Sequence, residues 1–155
     1  MIRKAETKDI GRIEDLLLQV NHVHAAGRPD IFIDGKMKYS REEIEKILSN
    51  PETPVFVWVD ENDRTEGYAF CIVEITKNLS NLRDKKTLYV DDICVEEKMR
   101  RRHIATDLYE FVKKYAAENG FDRITLNVWE LNPGAKAFYE KMGMKPLKTV
   151  METIL

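Results

Sequence analysis

A cluster of basic side chains marks the segment VEEKMRRRHIATDL, which spans Val95–Leu108. Three arginines and a histidine, Arg100–His103, lie where an apolar, strand-like run gives way to a helical pattern. The first turn of a helix leaves backbone N–H groups without acceptors, and the helix dipole adds partial positive charge there. A pyrophosphate suits such a turn, and arginines add charge-assisted hydrogen bonds. A helix start that only faces solvent is the alternative interpretation.

The same turn matches neither of the common nucleotide-binding loops. A Walker loop ends in Gly-Lys-Ser/Thr, and a dinucleotide fingerprint needs three glycines, whereas this turn reads RRRHIA. The sequence therefore predicts a phosphate ligand of another class.

Two adjacent carboxylates, Asp91 and Asp92, precede the turn in the strand-like run YVDDICV. A carboxylate beside an anion site can act as a general base. Side chains alternate along a strand, so we expect the two aspartates to point to opposite faces and only one to serve a given site. An aspartate that caps a turn or pairs with an arginine is the alternative.

A third polar group follows the first predicted helix, in NHVHAAGRPDIF. His24, Arg28 and Asp30 could line a pocket for a second substrate, although a helical histidine is more often structural. His22 and His24 are two residues apart and cannot share a metal on one helical face. No cysteine or acidic cluster accompanies them, and we therefore expect no metal site.

The first half of the chain supplies the elements behind these residues. A strand is predicted at IRKA, followed by a helix with a periodic apolar face and, after Ser40, a second helix with Glu43 completing a capping box. PVFVWVD and EGYAFCIVEI predict an antiparallel hairpin, and TLYVDDICV a further strand. The face of the first helix comprises Ile10, Ile13, Leu16, Leu17 and Val20.

The second half predicts helices alternating with strands. A helix follows the basic turn and ends near Gly120; then come a strand at RITLNVWE, a short helix at PGAKAFYEKMG and a final strand at PLKTVMETIL. Two strand-helix-strand connections behind an antiparallel first half predict an α/β (α+β) mixed sheet with helices on its faces, in one domain spanning residues 1–155.

Composition limits the partners. Net charge is −2 with 34% charged residues, which favours neither nucleic acid nor a membrane surface, so any anion site must be local. Cys71 and Cys94 lie in apolar runs and predict free buried thiols, which fits a cytoplasmic protein. No signal-like segment or apolar stretch of about 20 residues is present.

The segment LNVWELNPGAKAFYEKMGM resembles the Asn-x-x-Ala-x-x-Phe-Tyr-x-x-x-Gly-Phe/Met signature of the Gcn5-related N-acetyltransferases. Its six positions are Asn132, Ala135, Phe138, Tyr139, Gly143 and Met144. The basic turn is similar to the family's acyl-CoA pyrophosphate loop, Arg/Gln-x-x-Gly-x-Gly/Ala, with Arg100 and Ala105 at the outer positions. His103 stands where the family usually has glycine.

This resemblance implies a twisted, splayed mixed sheet flanked by about four helices, with acetyl-CoA as donor cosubstrate and no metal. Pantetheine would lie between the DDICV and TLNVW strands. Tyr139 would protonate the leaving thiolate, with packing in the core as the alternative, and Asp91 lies where polyamine acetyltransferases carry a glutamate, which favours it over Asp92. The implied cofactor-binding residues are Ile93, Cys94, Val95, Arg100, Arg101, Arg102, His103, Ile104, Ala105, Thr106, Asn132, Ala135 and Tyr139.

The resemblance predicts an N-acetyltransferase that moves the acetyl group to a primary amine of a small molecule or protein by direct attack. A non-catalytic acyl-CoA-binding regulatory module is the alternative, motivated by His103. Both are compatible with a monomer or a homodimer, and the sequence leaves the acceptor open.

Overall fold

Five strands and four α-helices make up the fold in the computed structural model, which describes residues 1–155. The strands form one sheet in the order β1-β2-β3-β4-β5; neighbours are antiparallel except for the parallel pair β4 and β5. The predicted mixed sheet is therefore confirmed. The elements are β1 Ile2–Lys4, α1 Ile10–Gly27, α2 Arg41–Ser49, β2 Val55–Val59, β3 Thr65–Thr76, β4 Lys85–Val95, α3 Ile104–Glu118, β5 Arg123–Leu126 and α4 Pro133–Lys141.

Each face of the sheet packs against its own apolar core. Because strand side chains alternate, Val55, Val57 and Val59 of β2 join the core beneath α1 and α2, whereas Phe56 joins the core beneath α3. Cys94 belongs to the first core and Cys71 to the second, and both are free and buried, as the sequence predicts.

The helix ends follow local sequence signals with one extension. The capping box of α2 is present: Ser40 accepts a hydrogen bond from the Glu43 N–H, and the Glu43 carboxylate accepts one from the Ser40 N–H. Gly120 follows α3 with a φ of 69°. Helix α1 runs to Gly27, so the predicted loop AAGRPD begins as helix. Ala25 is buried there, and alanine favours the helical state.

The C-terminal predictions are wrong in two places. Strand β5 has four residues, so Asn127–Glu130 lies outside it, and the predicted final strand in PLKTVMETIL does not form. A strand needs a hydrogen-bonded neighbour, and no strand of the chain pairs with this last segment. Only one strand-helix-strand connection, β4-α3-β5, is therefore present.

The sheet is splayed between β4 and β5. The two strands pair from Thr87 with Arg123 to Val90 with Leu126, and beyond Val90 β4 continues to Val95 paired only with β3. The resulting gap lies beside Asp91 and Asp92 and leads to the turn before α3. None of the helices combines the length and apolar character needed to cross a membrane.

Candidate active site

The turn before α3 exposes a run of free backbone donors. The N–H groups from Arg101 to Thr106 donate to no acceptor within the chain; the first bonded N–H is that of Asp107, which donates to the carbonyl of His103 at 2.9 Å. Arg101 and His103 have φ angles of 65° and 61°. Consecutive N–H groups around left-handed residues form a concave anion site, and this one adjoins a helix N-terminus.

The left-handed backbone at His103 explains why glycine is usual at this position of the resembling loop. Glycine adopts positive φ without steric cost, and histidine is among the few other residues enriched there. The ring makes no hydrogen bond to cap α3. His103 thus keeps the backbone geometry that a glycine would supply.

The three arginine side chains of the turn are free of intramolecular partners. Arg100, Arg101 and Arg102 are exposed and form no ion pair or hydrogen bond within the chain. A depression of about 220 Å³ lies beside them, between the turn and α4. It is lined by Val95, Met99, Arg100, Arg101, His103, Ile104, Ala105, Thr106 and Phe138.

A β-bulge overturns the expectation that the two aspartates face opposite sides. Phe70 pairs with Asp92 and Cys71 with Val90, so Asp91 is an extra residue in β4. Asp91 accepts hydrogen bonds from the Tyr39 hydroxyl and, at 2.8 Å, from Lys38. Asp92 accepts one from the Tyr68 hydroxyl at 2.7 Å.

Both tyrosines contact Phe70 in the core beneath α1 and α2, so both carboxylates lie on that side of the sheet. The regular alternation that the sequence suggests is reset at the bulge.

The environments of the two aspartates differ. Burial raises the pKa of Asp92 to about 6; the negative charge of Asp91 adds to this, while the Tyr68 hydrogen bond and the charge of Lys38 oppose it. Asp91 instead forms an ion pair with Lys38. Asp92 therefore has the properties of a general base near neutral pH, being mostly ionised yet more basic than an exposed carboxylate.

Helix α4 presents Tyr139 from the other side of the gap. Asn132 caps the helix by accepting a hydrogen bond from the Ala135 N–H at 3.1 Å, and Pro133 occupies its first turn. The Tyr139 ring packs edge-on against Tyr109, and its hydroxyl makes no hydrogen bond within the chain. Burial, together with the charge of Asp92, raises the pKa of Tyr139, which keeps the phenol protonated.

The edge of the gap is held by side chains that the sequence analysis did not select. Gln19 of α1 donates to the carbonyl of Val95 at 3.0 Å and accepts from the N–H of Glu97 at 3.1 Å. The Val95 carbonyl is thus already engaged. Cys94 points its thiol into the core, where burial raises its pKa, so only its backbone can face the gap.

Gln19, Lys38 and Tyr68 were missed, and Tyr39 was interpreted only as core or pocket wall, because their roles depend on contacts between distant segments. No short-range motif marks such contacts.

The residues predicted for a second substrate separate into two groups. The His24 ring lies 4.9 Å from Phe32 and 6.4 Å from Trp129, which together form an aromatic wall, and burial lowers the pKa of His24. Arg28 pairs instead with Asp30 at 2.8 Å and with Glu152 at 2.6 Å. No group of three or more potential metal ligands occurs in the chain.

Comparison with known proteins gives the family. The family model for the acetyltransferase (GNAT) family matches residues 19–144. A curated relative, the probable N-acetyltransferase san of Drosophila melanogaster, is 32% identical over 89 residues, which is 57% of this chain and 45% of the relative. The match thus spans less than half of that protein's length.

Solved structures share the fold. A mutant of the BH1408 protein from Bacillus halodurans is 30% identical, with a TM-score of 0.96, covering 100% of this chain and 99% of that one. The aminoglycoside N-acetyltransferase AAC(6')-Iy in complex with CoA has a TM-score of 0.74 at 14% identity, covering 100% and 98%. On the family match and the fold together, the chain belongs to the GNAT family of acetyltransferases.

Proposed function

We propose that the chain transfers the acetyl group of acetyl-CoA to a primary amine. One observation carries the proposal: the open gap between β4 and β5 joins the run of free N–H groups at Arg101–Thr106 to Asp92 and Tyr139. An anion site, a channel for an extended arm and an acid–base pair are the parts that acetyl transfer requires.

The turn would bind the pyrophosphate of CoA through its N–H groups and through Arg100 and Arg102. The open edge of β4 at Ile93 offers backbone groups to the pantetheine amides, since β5 no longer pairs there. The Nδ2 amide of Asn132 makes no hydrogen bond within the chain and can contact the same arm. The relative bound to CoA supports this use of the fold by analogy.

The chemical step needs one proton removed and one supplied. The amine nitrogen attacks the thioester carbonyl carbon, and Asp92 takes a proton from that nitrogen, directly or through water. The tetrahedral intermediate collapses with cleavage of the carbon–sulfur bond, and Tyr139 gives its proton to the departing thiolate. The phenol is suited to this because its raised pKa keeps it protonated before the step.

Asp91 is not the general base in this proposal. Its carboxylate is occupied by two side-chain donors, Lys38 and Tyr39, whereas Asp92 has one side-chain donor, the Tyr68 hydroxyl. We therefore assign the role of general base to Asp92. The family resemblance alone would favour Asp91.

The decisive experiment removes the hydroxyl of Tyr139. In Tyr139→Phe we expect turnover to fall by roughly 10² to 10⁴, the usual contribution of a positioned acid or base, with acetyl-CoA affinity and melting temperature nearly unchanged. Tyr109→Phe is a matched control, because it removes a hydroxyl from the ring that packs against Tyr139. Thiol release in the presence of acetyl-CoA and an amine measures the rate.

A panel of amines distinguishes the acceptors and the alternative function. Peptides with free N-termini, lysine peptides, polyamines and aminoglycosides cover the classes that the site leaves open. CoA binding by calorimetry without acetylation of any amine would instead favour a non-catalytic acyl-CoA-binding module. Full turnover in Tyr139→Phe would remove Tyr139 from the mechanism.

A further inference from the structure

Lys38 carries a primary amine into the candidate active site. It lies in the connection between α1 and α2, and its Nζ donates to the Asp91 carboxylate at 2.8 Å and to the Asp91 backbone carbonyl at 3.4 Å. Both acceptor atoms belong to the bulged residue of β4, directly before Asp92. The ammonium is therefore held beside the gap between β4 and β5, next to the two carboxylates.

The charge of Lys38 acts on the groups proposed for the chemistry. Burial raises the pKa of Asp92, and the charge of Lys38 opposes that rise. Burial also raises the pKa of Tyr139, and the charge of Asp92 adds to that effect. Asp92 is thus within electrostatic range of both the Lys38 ammonium and the Tyr139 phenol. An amine, a base and an acid share one region of the structure.

The Lys38 ammonium is free to leave Asp91. The Lys38 side chain is 45% exposed, and its Nζ also lies 5.5 Å from the ring centroid of Tyr39. An ion pair of a half-exposed lysine contributes little to stability, and the four-carbon stem of lysine is flexible. Nζ can therefore exchange the Asp91 carboxylate for a neighbouring position in the gap while α1 and α2 stay in place.

A second lysine of the same connection has none of these contacts. The Lys36 side chain is exposed and forms no ion pair, hydrogen bond or cation–π contact within the chain. Lys36 and Lys38 carry the same amine two residues apart, but only Lys38 reaches the carboxylates. Lys36 is therefore an internal reference for acetylation that needs no active site.

We propose, on the basis of the acetyl transfer proposed for this site, that Lys38 is an acceptor within the chain itself, acetylated by the acetyl-CoA bound to the same molecule. The Nζ ammonium loses one proton to solvent, and the neutral amine attacks the thioester carbonyl carbon. A second proton passes from the nitrogen to Asp92. The nitrogen–carbon bond forms, the carbon–sulfur bond breaks, and Tyr139 gives its proton to the departing thiolate. The products are Nζ-acetyl-Lys38 and CoA, and the neutral amide no longer forms an ion pair with Asp91.

The test is the rate of acetylation at each lysine of the full chain with acetyl-CoA and no added amine, followed by peptide mass spectrometry. We expect Lys38 to be acetylated roughly 10² to 10⁴ times faster than Lys36, because only Lys38 lies beside an acid and a base. In Tyr139→Phe the rate at Lys38 should fall toward the rate at Lys36. Lys38→Arg keeps a positive charge beside Asp91 but has no amine, so this fast incorporation of acetyl should disappear.

The dependence on chain concentration shows whether the acetyl group moves within one molecule. With acetyl-CoA in excess, the first-order rate constant at Lys38 should stay the same as the chain is diluted. A rate constant that rises in proportion to chain concentration would show transfer between molecules and would overturn the proposal.

An added amine separates this proposal from the proposed function. If the added amine is acetylated in a reaction that depends on Tyr139 while Lys38 stays unmodified, the proposal for Lys38 fails and the proposed function stands. If neither is acetylated, both fail. Equal rates at Lys38 and Lys36, or a rate at Lys38 that is unchanged in Tyr139→Phe, would indicate uncatalysed chemical acetylation and would also overturn the proposal.

Discussion

At the residue scale, the proposed chemistry depends on one inserted residue in β4. Without the bulge at Asp91, alternation would place Asp91 and Asp92 on opposite faces; with it, the two carboxylates share one side and acquire different partners. The proximity of the ionised Asp91 is one cause of the raised pKa of Asp92. The bulge thus contributes to the basicity of the candidate base.

Replacing Asp92 with asparagine tests this assignment through the pH dependence of the rate. The wild-type kcat/KM should rise with pH through about 6, because the base must lose its proton to act. In Asp92→Asn we expect that limb to disappear and the rate at pH 8 to fall by roughly 10² to 10⁴. If the acidic limb of the kcat/KM profile near pH 6 remains in Asp92→Asn, a group other than Asp92 is the general base.

The same substitution should increase stability at high pH. The pKa of Asp92 is raised from 3.8 to about 6 in the folded state, so the folded chain holds the proton more tightly than the unfolded chain. The stability gained from this is present below pH 4 and lost as the pH rises through 6. Asp92→Asn should therefore be more stable than wild type by about 1 to 3 kcal/mol at pH 8, with little difference at pH 4. Urea unfolding at the two pH values measures both.

At the element scale, α3 must lie close to the sheet for the turn to face the gap, and a glycine permits this. A Cβ at Gly67 of β3 would lie 3.0 Å from the carbonyl oxygen of Cys94 and 3.3 Å from Cγ2 of Ile104. Ile104 is the first residue of α3 and directly follows His103 of the basic turn. Gly67 therefore links the packing of β3 to the position of the turn.

Gly67→Ala should destabilise the chain and weaken CoA binding together. The added methyl meets backbone that cannot move freely, and we expect a loss of about 1 to 3 kcal/mol in the free energy of unfolding. Gly11→Ala in α1 is the control: its Cβ would meet nothing within 4 Å, and alanine at a helical position should stabilise by about 0.5 to 1 kcal/mol. Denaturant unfolding measures the loss of stability, and calorimetric titration with CoA measures the loss of affinity. An unchanged CoA affinity in Gly67→Ala would show that the packing of α3 on Gly67 does not determine the position of the turn.

The elements differ in how far the sequence could predict them. Ser40 and Glu43 mark the start of α2, and Gly120 marks the end of α3, because caps are local and leave a local signal. The four-residue β5 and the unpaired segment 146–155 could not be predicted, since a strand depends on whether a neighbour is available. The basic turn could be predicted as a site for the same local reason as the caps, whereas the contacts of Gln19 and Tyr39 join segments far apart in the chain.

At the scale of the whole molecule, the charge distribution is uneven. The chain carries a net charge of −2, yet the turn before α3 holds three arginines without intramolecular partners. Attraction of an anion is therefore local and acts against a slightly repulsive background. Such an attraction between exposed charges is screened over roughly 8 Å at physiological ionic strength.

The binding of CoA should stabilise the whole chain, and the arginines should account for much of that effect. A ligand that binds only the folded state at about 100 times its Kd stabilises by about 2.7 kcal/mol, which corresponds to a rise in melting temperature of about 5 to 10 °C for a chain of this size. We expect Arg100→Ala/Arg102→Ala to lose most of this rise at the same CoA concentration.

Lys77→Ala/Arg83→Ala is the control. It removes two exposed positive charges in the connection between β3 and β4 and should retain the rise in melting temperature, which distinguishes an effect of the local site from an effect of net charge. In the wild type the rise should shrink as salt increases, because screening weakens the arginine contacts. Equal thermal shifts in the wild type and in Arg100→Ala/Arg102→Ala, measured by differential scanning fluorimetry, would place the pyrophosphate away from this turn.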